Sequence, residues 1–92
     1  MAVINLEEAK SFMRIDDNED DWLIELLIDP AERKVIKISG KTEEEFAELA
    51  KYMKLPVLYA LSYMYEHREE ADYQGLDVTL RALLAQERIT PC

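Results

Sequence analysis

The chain has 92 residues, enough for one domain around one modest core. Apolar residues make up 49% and only 2 glycines and 3 prolines occur, which excludes a disordered chain and favours helices over a turn-rich sheet. The formal charge of −9, from 20 acidic against 11 basic side chains, argues against DNA binding through a basic patch.

The single cysteine, Cys92, is the last residue. It offers no internal disulfide and no thiolate cluster for a metal, and it fits a reducing cytoplasm. The segment Met1 to Asn5 lacks the basic stretch and apolar run of a signal peptide, and no apolar run approaches the ~20 residues that span a bilayer. The expectation is a soluble protein made inside a cell, with no membrane contact.

Asn5 is a good N-cap, and Glu7 and Glu8 follow where a helix dipole favours acids. Leu6, Ala9 and Met13 recur at helical spacing, which predicts a helix from Leu6 to about Met13, with Ile15 anchoring the next loop to the core. The acidic run Asp16-Asp17-Asn18-Glu19-Asp20-Asp21 then leads into Trp22, Leu23, Ile24, Leu26, Leu27 and Ile28. Asp17 or Asn18 is the expected cap of a second helix, whose stripe is Ile24, Leu27, Ile28, Ala31, Val35 and Ile38. Pro30 lies within it, which predicts either a kink near Leu26–Asp29 or a split into two helices with Pro30 opening the second. Gly40 supplies the stop.

Thr42-Glu43-Glu44-Glu45 reads as a capping box, and Phe46, Leu49, Ala50 and Met53 extend a third helix to about Tyr52–Lys54. Pro56 is then expected in the first turn of a fourth helix. Val57, Leu58, Leu61, Met64 and Tyr65 form its face, Ala60 flanks that face, and Tyr59 and Tyr63 point elsewhere. This helix is apolar almost all round, so it is either central or covered by another subunit. Tyr73-Gln74-Gly75 reads as a turn, and Asp77 as the cap of a last helix with Leu80, Leu83 and Leu84. Residues 89–92 read as a frayed tail. The expected fold is all-α, a small compact bundle of four to five helices in a single domain over 1–92.

No motif carries catalysis. Asp16, Asn18 and Asp20 alternate as in an EF-hand loop, but the position for the loop glycine holds Asp21 and that for the closing glutamate holds Leu27. His67 has no nucleophile context, Ser39 and Ser62 lack the setting of an activated serine, and no glycine loop cradles phosphate. His67 reads as a helix-end residue at the negative pole of the dipole. The expectation is a protein that is not an enzyme and uses no cofactor and no metal.

Four motifs together resemble the head-tail connector family of tailed bacteriophages and prophages. The first runs from Ile4 to Asp17 around Leu6-Glu7-Glu8-Ala9-Lys10 and Arg14-Ile15-Asp16, then Asp20-Asp21-Trp22-Leu23-Ile24. The second is the helix end Ile36-Lys37-Ile38-Ser39-Gly40. The third is the proline-led helix from Leu55-Pro56 to Tyr65-Glu66-His67-Arg68-Glu69. The fourth is Leu80-Arg81-Ala82-Leu83-Leu84 with Arg88. Two features depart from the family pattern: Pro30 inside a helix, and the helix-forming character of Thr42–Met53.

The resemblance implies a structural virion protein, built in the host cytoplasm, that forms a ring, commonly dodecameric, between the portal protein and a downstream neck or tail-completion protein. DNA would pass through its lumen without specific binding, and the acids Asp16, Asp17, Glu19, Asp20 and Asp21 would suit a repulsive channel wall. Ring closure needs two different complementary faces on each subunit. The helix from Pro56 to Glu70 and the last helix are the candidates, with Tyr59, Tyr63, Glu66, Arg68, Glu69 and Arg81 as interface residues. The rival readings are an acidic DNA-mimic inhibitor and a small intracellular helical adaptor. Acids gathered at helix starts and ends, not spread over one face, weigh against the mimic.

Overall fold

The computed structural model describes residues 3–67 and 73–86. Helix α1 covers Leu6–Met13. Asn5 does more than cap it: its Oδ1 accepts the Glu8 N–H at 2.8 Å, and Glu8 Oε1 accepts the Asn5 N–H at 3.1 Å, closing a reciprocal capping box. At the other end Arg14 turns left-handed at φ 58°, so that the Ile15 N–H reaches the Lys10 carbonyl at 2.9 Å. Ile15 then packs on the edge of the core, as expected for an anchor.

Helix α2 covers Asp21–Ser39 as one element, neither split nor opened by Pro30. Proline removes the N–H that would bond the Leu26 carbonyl. Both residues lie on the exposed face, where water can serve that oxygen. The expected cap at Asp17 or Asn18 is corrected: the N-cap is Asp20, and its side chain makes no capping bond. Asp17 Oδ1 instead accepts the Glu19 N–H at 3.3 Å, Asn18 Oδ1 accepts Lys10 Nζ at 2.8 Å, and Asp20 Oδ2 accepts the Tyr65 hydroxyl. All three side chains were committed elsewhere. Gly40 ends the helix at φ 71°, its N–H on the Ile36 carbonyl.

Helix α3 covers only Glu43–Glu48. Its capping box is present, with the Glu45 N–H on Thr42 Oγ1 at 3.1 Å and the Thr42 N–H on Glu45 Oε1 at 2.9 Å. It does not continue to Tyr52–Lys54. The chain breaks at Leu49, which closes α3 and opens α4, Ala50–Glu66. The break lets Phe46 and Met53 both reach the core from differently directed helices. Pro56 therefore lies inside α4 and is buried, not in its first turn.

Helix α5 covers Tyr73–Gln86. The expected turn at Tyr73-Gln74-Gly75 is helical, and Asp77 is not a cap. Leu76, Leu80 and Leu84 are all buried, so Leu76 must share their helical register, and the helix begins ahead of it. Asp77 faces Lys34 of α2 at 2.8 Å. Residues 89–92 lie outside the described residues.

The five helices among the described residues enclose one core: Ile4, Ala9, Ile24, Ala31, Val35, Ile38, Phe46, Met53, Val57, Ala60, Leu61, Leu76, Leu80 and Leu84 among others. α4 touches each of the other four helices and packs most extensively on α2. Its all-round apolar character is thus that of a central helix. The fold is an all-α bundle, and no strand occurs among the described residues.

Candidate assembly surfaces

Among the described residues, three ion pairs hold neighbouring helices together. Lys10 of α1 faces Asp21 of α2, Lys34 of α2 faces Asp77 of α5, and Lys54 of α4 faces Glu8 of α1, each at 2.8 Å. The Asp21 and Asp77 oxygens at these contacts take no hydrogen bond, so those two contacts act as charge pairs in partly shielded surroundings. Glu8 is used twice, Oε1 in the α1 cap and Oε2 on Lys54. The hydrogen bond from Lys54 holds its carboxyl below the ordinary glutamate range, helped by the Asn5 N–H and opposed by partial burial.

The acidic run divides into two groups. Asp16, Asp17 and Glu19 are exposed on the loop between α1 and α2. Asp20 and Asp21 are half-buried and engaged by Tyr65 and Lys10. The run is therefore not one uniform acidic surface. Among the described residues no group of three or more His, Cys, Asp and Glu side chains is placed to hold a metal ion.

The expected interface residues are also divided. Tyr59 and Tyr63 are half-buried at the edge of the core on α4, and Glu66 is exposed at its end, where Ser62 Oγ donates to it at 3.0 Å. Arg81 is exposed on α5. Arg68 and Glu69 lie outside the described residues. His67 closes α4 with its ring stacked on Tyr63, centroids 4.2 Å apart, and Nδ1 3.1 Å from the Tyr63 carbonyl. A carbonyl only accepts, so Nδ1 carries the proton.

Other exposed apolar side chains lie where no interface was expected. Trp22 and Leu26 are each 63% exposed, one turn apart on α2, and Tyr52 and Leu55 are 44% and 45% exposed near the start of α4. Trp22 and Leu26 lay in the apolar run of α2 but off its core stripe, and that periodicity was the available signal. Glu32 was not anticipated either. It is buried on α2, and its Oε2 accepts the Val3 N–H at 2.6 Å, latching the segment before α1 to the middle of α2. Burial pushes its carboxyl above the ordinary range, against the opposing effect of N–H donation from Val3 and Ile4. Nothing in the local pattern around Glu32 marks it, because its partner is 29 residues away.

The cleft beside Glu32, lined by Asp29, Arg33, Ile36, Glu43 and Phe46, holds about 100 Å³. Substrate and cofactor pockets run to several hundred. No helix among the described residues is long and apolar enough to cross a membrane. The described residues form a small all-helical module that carries exposed apolar side chains on an acidic surface. The chain belongs to the phage gp6-like head-tail connector protein family, whose model matches residues 3–85. That family is structural and not catalytic, and its members are virion components of the head-tail junction. The comparisons with curated proteins and with solved structures give no match.

Proposed function

We propose that this chain is a subunit of an oligomeric ring that docks between the portal protein and a downstream neck or tail-completion protein and extends the DNA channel for packaging and ejection. The family match over residues 3–85 is the observation that carries this reading. Two physical features support it. A closed ring needs two unlike, mutually complementary faces, and the molecule presents exposed apolar pairs on two different helices. A channel that passes DNA must not hold it, and a net charge of −9 with exposed Asp16, Asp17 and Glu19 on one loop repels phosphate.

The experiment is an interruption of this gene in a phage that encodes the chain, with complementation in trans. Filled heads and finished tails should accumulate separately, and wild-type protein should restore joined particles. Normal numbers of joined, infectious particles without the protein would overturn the reading.

A further inference from the structure

The exposed faces of α2 and α4 have a matching order of charge. On α2, Trp22, Glu25, Leu26, Asp29, Arg33 and Lys37 are all exposed and fall within one arc at the helical repeat. The face is apolar and acidic in its first half and basic in its second. On α4, Tyr52, Leu55, Tyr59 and Glu66 share an arc, with Lys51 bordering its start. That face is basic, then apolar, then acidic. Lys51 Nζ lies 5.9 Å from the centre of the Tyr52 ring, so the base and the aromatic side chain form one patch.

We infer that these two faces are the two sides of one subunit contact: the α2 face that starts at Trp22 and Leu26 on one copy seats against the α4 face that starts at Tyr52 and Leu55 on the next, with Leu26 level with Tyr52. This rests on the ring reading above and specifies its interface. The helices run parallel across the contact, placing Glu25 near Lys51 at one end and Lys37 near Glu66 at the other. Glu25 to Lys37 spans about 18 Å and Lys51 to Glu66 about 22 Å at the α-helical rise, a difference of about 4 Å that the long lysine and glutamate side chains can bridge. The antiparallel arrangement would set Glu25 against Glu66 and Lys37 against Lys51, and like charges there disfavour it. The apolar side chains supply the buried area, and the charges set direction and register. Each copy offers an α2 face to one neighbour and an α4 face to the other, the heterologous arrangement from which a ring closes.

The test uses the full chain assembled on its cognate portal protein, with ring-bearing particles counted by mass photometry and negative-stain imaging. W22A/L26A changes only exposed side chains, so helicity by circular dichroism should be unchanged while ring occupancy falls about tenfold or more. E25K alone and K51E alone should each reduce assembly, because each sets like charges face to face. An equimolar mixture of the two single variants should regain it, since alternating copies restore every Glu-Lys pair, an outcome that contacts within one chain do not produce. If wild-type rings form and W22A/L26A assembles as well as wild type, the surface assignment is overturned while the ring reading stands. If the single variants fail and the mixture fails too, the parallel register is overturned. If wild type forms no ring with portal, the ring reading falls and takes this contact with it.

Discussion

At the scale of single residues, two side chains are held at a cost. Glu32 is a buried carboxylate whose pKa is raised by that burial. A raised folded-state pKa gives stability that is fully present below the ordinary glutamate value and lost as pH rises through the raised one. At neutral pH Glu32 is therefore a burden, partly offset by the N–H groups it accepts. Glu32→Gln keeps an oxygen for the Val3 N–H and removes the charge, so its melting temperature at pH 7 should equal or exceed that of wild type. That advantage should shrink as pH falls toward the ordinary glutamate value. Glu32→Ala removes the acceptor and should cost about 1–3 kcal/mol, because the Val3 N–H is left buried and unpaired. Glu8 has the opposite sign: its lowered pKa gives stability that is present above the ordinary value and lost as pH falls through the lowered one. Arg14 is a non-glycine residue at φ 58°, and Arg14→Gly should raise stability by up to about 1 kcal/mol in denaturant titration.

At the scale of elements, the sequence marks helix ends best where the signal is a local bond. Asn5, Gly40 and the Thr42–Glu45 box each work through neighbours a few residues away, and each stands where its pattern places it. The ends that differ are those decided by distant partners. Asp17 and Asn18 do not cap α2 because Glu19 and Lys10 take their oxygens, and Asp77 does not cap α5 because it faces Lys34. The break at Leu49 follows from the need to bury both Phe46 and Met53. The helical pattern before it and the proline after it conceal that need. Pro30 shows the same limit of local rules. Of the kink and the split that it allows, the split does not occur: burial of Ile24, Ala31, Val35 and Ile38 along one face holds α2 as one helix. Since α2 carries an interior proline at an exposed site, Pro30→Ala should raise the free energy of unfolding by up to about 3 kcal/mol, and with it the denaturation midpoint. The proline's stiffening of the unfolded chain offsets part of that gain. A lower midpoint would mean that the proline ring packs usefully against its surroundings.

At the scale of the whole molecule, charge and surface count for more than any single group. The all-helical class, the acidic balance and the four-motif pattern were legible because each is spread along the chain. The candidate contact surfaces were less so. Tyr59 and Tyr63 proved half-buried, and the most exposed apolar pair, Trp22 and Leu26, was hidden within a run that otherwise builds the core. Which members of such a run face outward depends on where the partner helices lie. The acidic loop gives a prediction at this scale: replacing Asp16, Asp17 and Glu19 with lysine should make assembled particles retain DNA with a marked salt dependence, where wild-type particles do not. An image reconstruction of the chain bound to its cognate portal protein tests the ring and its acidic lumen most directly. The expected result is a closed ring coaxial with the portal, with Asp16, Asp17 and Glu19 at its lumen. Isolated copies scattered over the portal surface, or a ring carrying those acids only on its outer rim, would contradict it.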